Sequence, residues 1–163
     1  MKYLLDTNIC IYIINEKPGK ILKKFSQYPV HEFGISSITH AEIQYGVAKS
    51  KQKNRNQAAL HEFLLPLTIL PFHGKGLGER YGEIRAFLES KGKMIGPLDT
   101  LIAAHALSLD LTIISNNIRE FSRIPNLKHE NWISEAQWYS PLLQASSRSK
   151  VSISPRDAPI PLP

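Results

Sequence analysis

Short apolar runs alternate with longer segments of helical period along most of this 163-residue chain. Runs at 3–6, 32–35, 68–70, 112–115 and 127–129 are too brief for helices, and they predict strands. Apolar residues at helical spacing predict helices over 9–15, 19–28, 38–48, 55–65, 75–90 and 100–109. In the third of these, Ile38, Ala41, Tyr45 and Ala48 form the predicted buried stripe, with Ser36 or Ser37 as the cap. Strand and helix in alternation predict an α/β domain of three layers, α/β/α, around a mainly parallel sheet. The pattern ends at Trp132. Residues 133–163 hold five of the eleven prolines, many serines and little apolar period, so they are expected to be a largely disordered extension of a domain spanning 1–132.

Three acids border these elements. Tyr3-Leu4-Leu5-Asp6-Thr7-Asn8 reads as a buried strand that delivers Asp6 to the crevice beyond the carboxyl ends of parallel strands. The same position suits a helix N-cap, a role Asp fills well. Glu42 falls in the early turns of its helix, beside the predicted apolar stripe, an odd place for an idle carboxylate; taken alone, it reads first as a solvated or dipole-compensating glutamate. Gly96-Pro97-Leu98-Asp99 opens a helix too apolar for the surface, which places Asp99 at a positive helix end near the same crevice, or as its cap. Asn116 and Asn117 follow another strand, either as a turn or as neutral oxygen ligands. Carboxylates gathered in this way suit Mg²⁺, which prefers oxygen ligands and retains waters when few carboxylates hold it.

Charge agrees with an anionic partner. Lys and Arg number 20 against 14 Asp and Glu, a net charge of +6. Basic clusters at Lys17, Lys20, Lys23 and Lys24 and at Lys49, Lys51, Lys53 and Arg55 suit phosphates, although solvated helix faces look the same. Lys91 and Lys93, just before the Asp99 turn, are the better candidates for phosphate contact. Cys10 is the only cysteine, which excludes an internal disulfide or a thiolate cluster, and its isoleucine neighbours predict a buried, inert thiol. His40, His73 and His105 lack the i, i+4 spacing of a zinc motif and read as ordinary core or surface residues. The Gly-rich stretch 72–78 lacks phosphate-loop spacing and reads as a helix entry. No stretch approaches a membrane span and no signal peptide is recognisable, so a cytoplasmic protein is expected.

Four blocks in order resemble the PIN-domain ribonucleases, and within them the VapC toxins of bacterial VapBC toxin–antitoxin pairs. They are Leu4-Leu5-Asp6-Thr7-Asn8; Ile35-Ser36-Ser37-Ile38-Thr39 with Ala41-Glu42 and Tyr45-Gly46; Ile95-Gly96-Pro97-Leu98-Asp99 with Ile102-Ala103-Ala104-His105-Ala106; and Ser115-Asn116-Asn117 with Arg119-Glu120-Phe121. The resemblance covers Met1 to about Trp132. It implies a Mg²⁺- or Mn²⁺-dependent endoribonuclease in which Asp6, Glu42 and Asp99 are the three acids. Asn117 stands where many PIN domains carry a fourth acid. Also implied are a structured RNA substrate, with tRNA favoured; a VapB-like antitoxin whose apolar helix or tail occupies the groove near the acids; a homodimer; and promoter DNA reached only through the antitoxin.

Two other readings compete. An aspartate-nucleophile phosphatase would need a second Asp two residues after Asp6, where Asn8 stands. A non-catalytic RNA- or antitoxin-binding module would follow if Asn117 or the extension abolished metal binding.

Overall fold

Successive residues of a strand point to opposite faces of its sheet, so a strand covered on both sides divides its side chains between two cores. Tyr3–Leu5, the first strand (β1), does this: Tyr3 and Leu5 enter one apolar cluster and Leu4 the other. The protein is described here by a computed structural model covering residues 1–16 and 19–133. Within these residues β1 joins β2 (Phe33–Ser36), β3 (Thr68–Leu70), β4 (Thr112–Ile114) and β5 (His129–Glu130) in a parallel sheet of order β3-β2-β1-β4-β5.

The first cluster takes α1 (Thr7–Glu16), α2 (Gly19–Phe25), α3 (Ser37–Lys49) and α4 (Lys53–Leu64) through Ile9, Ile21, Ile43 and Leu60. The second takes α5 (Leu77–Ser90), α6 (Pro97–Ser108) and the short α7 (Ile118–Phe121) through Leu88, Ile102 and Phe121. The α/β/α layering is therefore as expected. In β2, Gly34 is held by sterics. A Cβ there would lie 2.9 Å from the Thr68 carbonyl oxygen of β3 and 2.8 Å from Met1 Sδ.

Several boundaries move for identifiable reasons. α2 stops at Phe25, three residues before the predicted end: the Gln27 and Tyr28 amides turn back to the carbonyls of Lys24 and Phe25, three residues earlier, and Pro29 bars Tyr28 from helical backbone. α5 begins at Leu77 rather than residue 75 because Gly76 caps it at φ +88, a left-handed conformation that no helix continues through. The predicted stripe of α3 is wrong. Its buried residues are Thr39, Ile43, Gly46 and Val47, whereas Ala41 and Ala48 are exposed and Tyr45 is 49% exposed. Apolar residues occupy both faces of this helix, and the face that packs includes Thr39 and Gly46, which an apolar pattern does not count. α7 has one turn, too short to show a period. Ile133, predicted as the first residue of the extension, is buried in the first cluster; the rest of the extension lies outside the described residues.

Candidate active site at the carboxyl edge of the sheet

The strand register places three polar residues side by side. Leu5 of β1 is level with Ile35 of β2 and Ile114 of β4, so the next residues along, Asp6, Ser36 and Ser115, form a row across the carboxyl edge. All three are fully buried. The strand order reverses at β1 and β4, the switch point where open α/β sheets form a binding crevice. The Asp6 amide donates to the Ile114 carbonyl at 3.0 Å, and Ser115 Oγ donates to Asp6 Oδ2 at 2.8 Å. The carboxylate is therefore held from β4, whatever part Asp6 plays in starting α1.

Glu42 reaches the same edge from α3. Its Oε2 accepts a hydrogen bond of 2.6 Å from the hydroxyl of Thr7, the buried neighbour of Asp6, so Asp6 and Glu42 are linked by adjacent residues. Asp99 is fully buried in the first turn of α6, whose N-cap is Gly96 with Pro97 as the next residue. Asp99 is thus inside the helix rather than at its cap, where the N-terminal dipole favours a carboxylate. The Asn117 backbone N–H donates to Ser115 Oγ at 2.9 Å, which ties Asn117 to Asp6 through one hydroxyl. Asn116 Oδ1 is buried with no hydrogen-bond partner in the structure.

Sequence reasoning passed over Ser115 and Thr7. Each lies next to a recognised residue, and only the register shows that their hydroxyls face the acids. Lys91 and Lys93 are exposed where α5 leads toward α6, and Arg123 donates to the Lys93 and Met94 carbonyls at 3.4 and 3.0 Å. In the first basic cluster, Lys24 stacks over Trp132 at 4.5 Å and lies 3.9 Å from Glu130, so it is engaged within the fold. Cys10 is buried as expected. Burial first, and the charge of Asp6 second, push its thiol well above the ordinary range, which makes it a poor nucleophile.

Among the described residues no three Asp, Glu, His or Cys side chains are grouped so as to hold a metal ion. The donor set itself fits a hard divalent cation. Asp6, Glu42 and Asp99 would offer carboxylate oxygens and Asn117 its amide oxygen, and Asp6 and Asp99 are fully buried.

Comparison with known proteins identifies the family. The PIN domain family model matches residues 3–127. The chain is 49% identical over 133 residues to Ribonuclease VapC2 of Rickettsia felis, covering 81% of this chain and 98% of that protein. It is 41% identical to the tRNA(fMet)-specific endonuclease VapC of Salmonella typhimurium, covering 81% of this chain and 98% of the relative. Among solved structures, the VapBC2 complex of Rickettsia felis bound to a promoter DNA fragment superposes with a TM-score of 0.77 at 47% identity, over 82% of this chain and all of that one. The chain belongs to the PIN domain family, within its VapC ribonucleases.

Proposed function

We propose that this ribonuclease is the toxin of a toxin–antitoxin pair, and that it cuts structured RNA, tRNA before others, by divalent-metal-dependent hydrolysis at the Asp6–Glu42–Asp99 edge. The observation that carries the reading is the buried row Asp6–Ser36–Ser115 at the switch point, with Glu42 joined to it through Thr7. Asp6 and Asp99 would hold Mg²⁺ or Mn²⁺, with Asn117 as a neutral oxygen donor that weakens the site at that corner. A bound cation supplies charge neutralisation at the attacked phosphate and acidifies a water. Glu42 holds and deprotonates that water, or adds a further oxygen to the cation. Ser115 keeps Asp6 in one orientation, and Lys91 and Lys93 hold RNA phosphates beside the site. In-line attack by water leaves a 5′-phosphate and a 3′-hydroxyl. Such a substrate pool places the protein in the cytoplasm; no helix of the described residues is long and apolar enough to cross a membrane.

The antitoxin has a surface suited to it. An apolar cavity of about 460 Å³ opens among α1, α2 and α4, lined by Ile13, Ile14, Leu22, Phe25, Val30 and Phe63, and Leu5, the residue before Asp6, forms part of its wall. Leu22 and Val30 are 46% and 54% exposed at its rim. An apolar antitoxin helix seated there would cover that surface close to the acids. A homodimer, and promoter DNA reached through the antitoxin, complete the proposed assembly. The family assignment replaces the phosphatase reading.

The test is incubation of antitoxin-free protein with total tRNA and Mg²⁺ or Mn²⁺, with Asp6→Asn and Asp99→Asn variants, EDTA and added antitoxin in parallel. Discrete cuts bearing 5′-phosphates are expected, reduced by about a hundredfold or more in either variant and abolished by EDTA or antitoxin. Cuts ending in 2′,3′-cyclic phosphate would refute water as the nucleophile. RNA binding without cleavage, unchanged in Asp6→Asn, would establish the binding-module alternative.

A further inference from the structure

His105 lies in the last turn of α6 and is buried against the end of β2. Its Nδ1 is 2.9 Å from Ser36 Oγ, a contact spanning 69 positions of sequence. Ser36 is the N-cap of α3, and its Oγ already accepts the Ile38 amide at 3.1 Å. A hydroxyl has one proton to give, and His105 Nδ1 is placed to accept it when the ring carries its own proton on Nε2; the Nδ1–H tautomer reverses the donation, onto the second lone pair of Ser36 Oγ. Burial, and secondarily the charge of His73, lower the affinity of His105 for a second proton and favour the neutral ring.

The junction is gripped from a second side. Phe72, beyond β3, packs edge-on against the His105 ring at 5.4 Å and 84°. Its backbone N–H donates to Ser37 Oγ at 2.9 Å. The start of α3 is thus fixed by a side chain from α6 and by main chain from the segment after β3. These are the two helices that carry the acids: Asp99 is in the first turn of α6, and Glu42 is six residues after Ser36 on α3. A hydrogen-bonded helix is stiff over so short a span, so fixing its cap fixes Glu42.

We propose that His105 is a positioning residue of the active site: through Ser36 it holds the origin of α3 against α6 and thereby sets where Glu42 stands relative to Asp99. This rests on the reading above in which both acids serve RNA cleavage.

Three variants of the full chain test it. His105→Asn offers its amide oxygen near the place of Nδ1 and keeps the acceptor, His105→Gln puts its amide where Nε2 stood, and His105→Leu has no acceptor. Steady-state cleavage is measured at a temperature where each variant is folded, with amide exchange over the first turns of α3 as a readout independent of cleavage. His105→Gln and His105→Leu should lose about tenfold to a hundredfold in kcat at unchanged KM, with α3 exchange about three- to tenfold faster. His105→Asn should stay close to wild type in both. Wild-type kcat in His105→Gln, or equal losses in all three variants, would overturn the proposal; the second outcome would mean that only the filled volume matters. If His105→Leu fails to fold, His105→Gln against His105→Asn makes the same comparison. If the wild-type protein cuts no RNA, the nuclease reading fails, and exchange still decides the link: unchanged α3 protection in His105→Gln overturns it, and faster exchange confined to α3 supports it.

Discussion

At the scale of single residues, the site is organised by neutral hydroxyls set between ionisable groups. Ser115 holds Asp6, Thr7 holds Glu42 and Ser36 holds His105, each through one hydrogen bond of 2.9 Å or less. The last of these carries a pH dependence with a definite sign. Burial lowers the proton affinity of His105 in the fold, whereas in the unfolded chain it titrates near its ordinary value of about 6.5. Between the two values the unfolded state binds more protons, so stability rises with pH there. The contribution is fully present above about pH 6.5 and is lost as the pH falls through the lower, folded value. The Tm of the wild-type protein should therefore fall more steeply below about pH 6.5 than that of His105→Asn, which has no proton to take up. Thermal melts of the two proteins across that window decide it, and parallel curves would show that His105 does not titrate with folding.

At the scale of elements, strands and helices were legible wherever one physical signal dominated. The sequence predicts β3 at its observed bounds, because Thr68, Ile69 and Leu70 stand between a turn and a proline. β1 ends one residue short of Asp6, which is why Asp6 lies on the edge rather than inside the sheet. The buried face of α3 departs from the apolar pattern, since Thr39 and Gly46 look polar or neutral in a pattern although they pack. The same limit hid the row Asp6–Ser36–Ser115, which depends on the register of three strands distant in sequence. Gly34 shows the register acting back on composition. With the Thr68 carbonyl 2.9 Å from any Cβ, β2 and β3 pair as observed only with glycine there. Gly34→Ala should cost about 1–3 kcal/mol, the range of a local overpacking, measured by chemical denaturation. A stability equal to wild type would mean that β3, whose first two residues are exposed, shifts aside easily.

At the scale of the whole molecule, the last described residues close the first core. Trp132 stacks on Tyr28 at 5.8 Å and meets Tyr3, Phe25 and Phe33 at steep angles. Its indole N–H donates to Glu130 Oε2 at 2.7 Å, and Lys24 lies over its ring. Ile133 is buried beside it. The ring cluster fastens the sheet edge at β5 to α2, the helix that also borders the apolar cavity, so the proposed antitoxin surface depends on Trp132 being in place. The match to the Rickettsia felis ribonuclease takes in 98% of that protein and 81% of this chain. A protein truncated to residues 1–133 should therefore keep the Tm and the RNA cleavage of the full chain. One truncated to residues 1–131 loses Trp132, which is an aromatic deletion from a packed cluster and costs about 3–5 kcal/mol. Such a loss is a large fraction of the stability of a domain this size, so the shorter protein should melt far lower or fail to accumulate folded. Melting and tRNA cleavage on the two truncations and the full chain separate the cases. A fall in Tm already at 1–133 would show that residues beyond Ile133 contribute to the fold and that the domain boundary lies further along the chain.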